Sequence, residues 1–302
     1  MQGAKPVGCI AYPALQIMVG ILTIAVILMI VCEETPAQQS PSSLYNALKD
    51  LGNFVKNLSR IEAGVRSAWV RDFYSRQALE RITNLRSAWN ASNFFVLYDV
   101  IVPEVQCPNL VRVGSVVDGG KYVCNPQAID TTMCRIYSLG LDDEISFDVQ
   151  IQNITGNTCK IYGYDQQEQS KGTKDAYSRM NGKLKAVLIS NEKGNRIQDF
   201  FDENGDKFTD ILKIDIEGAE HNVLIPFLSN KKYKVCQILI EIHGQADAQL
   251  HLLVLIAKQG YALFSYEING GAMSACEYGF IHMSCLKQYE AVELKRYLPS
   301  VK

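Results

Sequence analysis

The sequence predicts an α/β domain with a doubly wound, mostly parallel seven-stranded sheet, preceded by an apolar span and a helical stem. Three observations carry this. From about Phe94, short apolar runs recur at 134–139, 159–165, 184–190, 211–216, 236–242, 262–267 and 279–284. Most of them are continuous rather than alternating, as strands covered on both faces require. Helix-compatible segments, notably 219–228 and 246–259, lie between them and supply a βαβ rhythm. The last pair departs from it, because 268–278 contains Asn269-Gly270-Gly271 and is too short and breaker-rich for a crossover helix. Those two strands are expected to be antiparallel neighbours.

Three regions follow along the chain: 1–34, a cytosolic tip and signal-anchor; 35–93, a linker and helical stem; and 94–302, the α/β domain. Between Lys5 and Glu33 there is no charged residue, and that stretch exceeds the roughly 20 residues that span a bilayer. Lys5 precedes it and Glu33 and Glu34 follow it, so the positive-inside bias predicts a single-pass type II protein. The C-terminal domain is then lumenal or extracellular, in the secretory pathway or at the cell surface. Asn57, Asn90 and Asn153 each begin an N-glycosylation sequon, which has meaning only on that side. Seven of the 9 cysteines fall in the folded part without CxxC spacing, so structural disulfides are expected there and their pairing is left open.

In the stem, Leu44, Leu48, Leu51, Val55, Leu58, Val65 and Trp69 recur in steps of three and four, with helix-compatible sequence continuing to about Trp89. The pattern approximates a heptad seam interrupted by Glu62. It fits a homodimer through a parallel coiled coil, or an amphipathic helix lying against its own domain. Lys+Arg is 30 against Asp+Glu 32 with no long basic run, so no nucleic-acid partner is expected.

In an open parallel sheet, ligands bind beyond the carboxyl ends of the strands. The first strand ends at Ser138-Leu139-Gly140-Leu141-Asp142, where a Gly lets backbone approach a ligand, but no G-x-G-x-x-G or Walker lysine motif occurs. The second ends at Tyr164-Asp165, an acidic tip placed for ribose hydroxyls. A nucleoside ligand without pyrophosphate fits both. The fourth carries Lys213-Ile214-Asp215-Ile216-Glu217-Gly218-Ala219-Glu220, bringing charge to the end of a buried strand, where it costs free energy unless paired or functional. A Lys213–Asp215 pair, or carboxylates favoured by a helix N-terminus, would be its structural explanation. The fifth ends at His243, a candidate general base near neutral pH. The other histidines show no ligand spacing, so no metal is expected.

These motifs, in order, resemble the FkbM-like class I methyltransferases. Those that carry the resemblance are Ile136–Gly140, Ser146-Phe147-Asp148, Gly163-Tyr164-Asp165, the KIDIEGAE run at 213–220 and Ile240-Glu241-Ile242-His243. The DGGKYVC run at 118–124 points to the membrane-anchored animal branch typified by methyltransferase-like protein 24. The resemblance, over about 107–284, implies the class I methyltransferase fold with S-adenosylmethionine as cofactor. It implies Ser138, Gly140, Leu141 and Asp142 at the methionine part, Asp165 with Tyr164 at the ribose, and Asp215 beside the methyl group and acceptor; Glu217 and His243 join Asp215 as candidate catalytic residues from their places at the strand ends. It also implies O-methyl transfer, for which a lumenal glycan or other small-molecule hydroxyl is the expected acceptor. The first turn has Ser138 at the usual acidic position and Asp142 where a second Gly is frequent. A catalytically silent scaffold on the same fold is therefore the alternative, and a lumenal glycosyltransferase a more distant one.

Overall fold

The computed structural model describes residues 41–302 except 117, and within the first helix it describes side chains at 46, 49–54 and from 68 onward. The expected span at 6–32 lies outside these residues. Among the described residues no helix is long and apolar enough to cross a membrane. The chain divides into two compact units, 1–62 and 63–302.

Helix α1, Pro41–Ser87, starts within the expected linker, with Pro at its first position where no N–H is needed. Its last turns belong to the second unit. Ala78 and Leu85 are buried there, and the Arg86 guanidinium donates to the Val301 and Ser300 carbonyls at 2.8 Å each. This end of the stem thus lies against its own domain, whereas Trp69, further back along the helix, is 65% exposed. A short helix α2, Phe94–Val100, is capped by the Asn93 side chain. It leads to the two-residue strand β1, Val105–Gln106, and to a ribbon of β2, Leu110–Val113, and β3, Lys121–Cys124.

The main sheet contains β4 (Arg135–Leu139), β5 (Lys160–Asp165), β6 (Gly182–Ala186), β7 (Phe208–Ile214), β8 (Lys234–His243), β9 (Tyr261–Ile268) and β10 (Ala275–His282). Their order is β6-β5-β4-β7-β8-β10-β9. The strands β6 to β8 run parallel, and β10 is antiparallel to both of its neighbours, as the short 268–278 connection required. Helices α3 (Ser146–Ile154), α4 (Lys171–Arg179), α5 (Ile197–Asn204), α6 (Glu220–Ser229) and α7 (Ala246–Lys258) connect the strands. A last two-residue strand, β11 (Val292–Glu293), pairs with β1.

Three strands differ most from expectation. β10 begins at Ala275 instead of 279, so its connection from β9 is shorter still. β6 begins and ends earlier than 184–190, because after the Val187 N–H bonds to the Asp165 carbonyl the chain leaves the sheet edge. β7 stops at Ile214, so Asp215 and Ile216 lie on the loop beyond it, although the Asp215 N–H still reaches the Leu139 carbonyl.

The alternation of strand side chains builds one core on each face. Tyr137, Leu139, Tyr164, Leu212 and Ile214 pack with Phe200, Phe201 and α7 on one side. Ile136, Ile161, Ile211 and Leu239 pack with Phe147, Tyr177 and the β2–β3 ribbon on the other. Three disulfides join Cys107–Cys124, Cys134–Cys159 and Cys236–Cys285, and Cys276 is a buried free thiol. The order of the chain reverses between β4 and β7, the position at which open α/β sheets bind ligands beyond the carboxyl ends of their strands.

Candidate active site

Gly140 begins the turn after β4 at φ +77°, followed by Asp142 at +45° and Asp143 at +59°. A Cβ at Gly140 would sit 1.6 Å from the Asp215 carbonyl oxygen, so glycine is required here to let the ends of β4 and β7 meet. Asp165, at the tip of β5, organises this turn. Its Oδ2 accepts the Leu141 and Asp142 N–H groups at 2.8 and 3.0 Å, and Oδ1 accepts Gln167 N–H at 2.8 Å. The Asp143 N–H goes to Gln169, and its carboxylate receives the Ser170 N–H. The turn is therefore closed onto the loop after β5, and the Leu141 and Asp142 amides are used within the protein.

Two residues expected to face the cofactor have their side chains in the cores. Tyr164 points into the core, its ring 4.2 Å from Phe200 and its hydroxyl bonded to Asn204. Ser138 points to the opposite core and is fully buried beside Lys213, Asp148 and Tyr177. Strand alternation turns both away from the rim. Asp148 is also fully buried, and its burial raises the carboxyl pKa against the influence of Lys213 and the two hydroxyls. Lys213 donates to the Gly140 carbonyl at 3.1 Å, so it holds the turn from beneath instead of pairing with Asp215.

The partner of Asp215 comes from far upstream. Lys121 on β3, 1% exposed at its side chain, places Nζ 3.1 Å from Asp215 Oδ2 and also bonds Glu277 on β10. Glu277 lies directly across from Glu241 on β8 and from Glu267 on β9, giving three glutamates in one row across adjacent strands. Like charges in register repel, and the β2–β3 ribbon supplies the counter-charges: Lys121, and Arg112 at 2.9 Å from Glu267. Burial works against the Lys121 charge, but Glu277 and Asp215 outweigh it and raise its pKa. For Asp215, burial is likewise outweighed by Lys121 and Lys213, which hold the carboxyl below its usual range. Burial pushes Glu277 up to about 8 and, with Asp215 nearby, raises Glu241.

His243 closes the rim at the end of β8. Its Nδ1 lies 3.1 Å from Glu220 Oε1, and Nε2 faces Glu217 at 3.6 Å and Glu241 at 4.0 Å. The hydrogen bond to Glu220 and the three carboxylates raise its pKa to about 9, against partial burial. At neutral pH the ring is an imidazolium, so the expectation of a free base near pH 7 gives way to a charged donor. Glu217 is 81% exposed at its side chain and has φ +56°, next to Gly218 at +102°. This left-handed pair forms the sharp turn between β7 and α6. Glu220, in the first turn of α6, is fully buried and also accepts the Gly218 N–H at 3.0 Å, stabilising the same turn.

Asp215, Glu217 and His243 are thus brought together, with Lys121, Glu220, Glu241 and Glu277 added to them. The DGGKYVC and KIDIEGAE runs contained Lys121 and Glu220, but only the register of β10 on β8 and β9 reveals Glu277. The remaining histidines are bound locally: His221 and His251 to the Ala248 and Trp89 carbonyls, and His282 to Ser284.

The chemistry of the residues around the turn after β4 fits S-adenosylmethionine. Asp165 Oδ1 accepts one N–H, which leaves it acceptor capacity for a ribose hydroxyl. Asp142 has an exposed side chain next to Gly140, and the Asp215 backbone lies against that glycine.

A methyltransferase-domain family profile matches residues 67–282. No curated protein matches the chain. Among solved structures, it is similar to a precorrin-6y C5,15-methyltransferase from Geobacter metallireducens GS-15, at 10% identity and TM-score 0.35 over 52% of this chain and 84% of that one. It is also similar to the METTL16 methyltransferase domain, at 12% identity and TM-score 0.35 over 57% of this chain and 64% of that one. With a class I sheet order, an acidic tip on the second strand of the main sheet and a family match over most of the domain, the chain belongs to the methyltransferase-domain family, whose methyl donor is S-adenosylmethionine.

Proposed function

We propose that this protein is a membrane-anchored O-methyltransferase acting on a hydroxyl of a glycan or another secretory-pathway molecule. The observation that supports the reading is the charged rim around Asp215 at the carboxyl ends of β7 and β8, the end of the sheet at which open α/β folds bind ligands. Oxygen as the acceptor atom follows from the resemblance to FkbM-like enzymes, whose KIDIEGAE run is present here. Lumenal topology is supported by the uncharged stretch at 6–32, the three disulfides, and the exposed side chains of Asn90 and Asn153. Asn57, the third sequon, lies where side chains are not described.

When bound, S-adenosylmethionine supplies an electrophilic methyl group on sulfonium sulfur. Asp165 would hold the ribose, and the Gly140–Asp143 turn the methionine end. Methyl transfer to an acceptor hydroxyl would release that hydroxyl's proton, and residues of the rim would take it up. Glu277, whose proton affinity lies nearest neutral pH and whose Oε2 is buried without a partner, suits that task. Lys121 keeps Glu277 and Asp215 in place, and the His243 imidazolium balances the carboxylates around it.

The catalytically silent alternative is favoured by one observation, the use of the Leu141 and Asp142 amides by Asp165. Calorimetric titration of the full-length protein with S-adenosylmethionine, followed by transfer of labelled methyl to a panel of hydroxyl acceptors, decides between them. Saturable binding with a labelled ether product is expected. Binding without transfer across the panel supports the silent reading, and no binding by folded protein removes both. A glycosidase-sensitive mass on the expressed chain is expected for the lumenal topology, and an unglycosylated chain with a protease-accessible C-terminus in intact vesicles overturns it.

A further inference from the structure

We propose that Asp215, Glu241 and His243 form a binding site for one divalent metal ion of the Mn²⁺ class. One ligand atom from each lies within 4.8 Å of the other two, and the three project from the ends of the adjacent strands β7 and β8. Nε2 of His243 stands 4.0 Å from Glu241 Oε2, too far for a hydrogen bond, so these two groups face one another without satisfying one another. Glu241 itself is 4% exposed at its side chain.

Two further features point to a cation. The first is how His243 is held. Glu220, a fully buried carboxylate outside the ligand set, bonds Nδ1 at 3.1 Å. A carboxylate on the far ring nitrogen is the usual support of a metal-ligating histidine, because it fixes the tautomer that leaves Nε2 for the ion. The second is a surplus of acceptors. Glu220 Oε2 and Glu277 Oε2 are both buried with no hydrogen-bond partner. Glu277 also offers an oxygen within 4.8 Å of one from Glu241 and one from Asp118. Among the described residues Lys121 bonds Asp215 and Glu277, whereas Glu241 is bonded by the neutral Asn269 amide at 3.2 Å. A divalent ion would displace the Nε2 proton of His243 and take over the balancing of Asp215 and Glu241. Two carboxylates with one imidazole form an oxygen-rich donor set that suits Mn²⁺ better than the sulfur-rich sets that select other metals.

The expectation of no metal came from the absence of local histidine spacing. Here the ligands come instead from two strand ends, which sequence spacing does not reveal. The role of the ion, though not the site itself, rests on the methyltransferase reading: it would take the acceptor oxygen as a ligand and make its hydroxyl more acidic.

The test uses full-length protein in detergent, stripped with chelator and titrated with Mn²⁺ alone, free ion being followed by its paramagnetic resonance signal. About one bound Mn²⁺ per chain is expected. Asp215→Asn, Glu241→Gln and His243→Gln should each weaken binding by at least tenfold, and Glu220→Gln by roughly 10- to 100-fold as a supporting residue. Circular dichroism melting curves identify any variant that fails to fold, and the wild-type titration stands without them. Absence of saturable Mn²⁺ binding in the wild type overturns the proposal, as does undiminished binding in the three ligand variants. S-adenosylmethionine binding measured separately in chelator distinguishes the two readings. If the nucleoside binds but Mn²⁺ does not, the metal site alone fails; if Mn²⁺ binds but the nucleoside does not, the site stands and its catalytic role is lost.

Discussion

The two ends of the central sheet treat buried polar groups in opposite ways. At the amino ends of the strands, Cys134–Cys159 ties the entries to β4 and β5, and Cys236–Cys285 ties β8 to the segment after β10. The buried Asp210 there accepts hydrogen bonds from the Tyr289 hydroxyl, the Gln288 amide and the Arg135 N–H. At the carboxyl ends, Glu220, Glu277 and Glu144 each keep a buried oxygen with no partner, and Glu217 holds a left-handed backbone. Buried polar atoms are normally paired, so the grouping of unpaired carboxylate oxygens at this end stands out. One end is closed by disulfides and satisfied hydrogen bonds, and the other carries the unpaired carboxylate oxygens.

Substitutions at the two ends should therefore separate activity from stability. The largest effect is expected for Asp215→Asn, which should lower methyl transfer by roughly 10²- to 10³-fold while the melting temperature changes little. A parallel loss of both in thermal melts and labelled-methyl assays would show that the rim also carries structure. Gly140→Ala should break the separation from the other side, because the new Cβ meets the Asp215 carbonyl at 1.6 Å and the position has φ +77°. It should cost about 3 kcal/mol in denaturant unfolding and weaken S-adenosylmethionine binding together. Replacing Cys134 and Cys159 by Ser opens a loop of 25 residues and should cost about 3 kcal/mol, with methyl transfer unchanged well below the melting temperature. A lost activity at low temperature in that variant would tie the two ends together.

The smallest expected effect is on pH dependence. His243 has its pKa raised to about 9, so its contribution to stability is complete below the unfolded value of about 6.5 and is lost as pH rises through 9. Glu277, raised to about 8, also loses stability as pH rises, but over a lower interval that starts from the unfolded carboxylate range. Melting temperatures should therefore still fall between about pH 8 and 9. Glu220→Gln should flatten that last segment by removing the main cause of the His243 shift. An unchanged slope in this variant would show that Glu217 and Glu241 alone hold the imidazolium.

Much of this architecture was legible in the chain. Continuous apolar runs identified the parallel strands, since a strand covered on both faces needs apolar residues at both parities. The breaker-rich 268–278 segment predicted the antiparallel hairpin, because a parallel connection needs more chain than that. Asp215, Glu217 and His243 could be chosen because charge at the end of a buried strand is costly without a purpose. Tyr164 and Ser138 were misplaced for a related reason: a motif records neighbours along the chain, whereas pleating turns successive side chains to opposite faces. The partners of the rim were beyond reach, since Lys121 is 94 residues from Asp215 in sequence and 156 from Glu277.

The sequence by itself determined the fold class, the mostly parallel sheet and its antiparallel final pair. These depend on hydrophobic periodicity and connection length, which are local properties. Only the tertiary structure decided which charges meet. It brought the β2–β3 ribbon over the β8–β10 register, turned the Asp165 carboxylate onto the first turn, and set Glu220 behind His243. Electrostatic interaction depends on distance in space and on the exclusion of water, and neither is written in the order of residues.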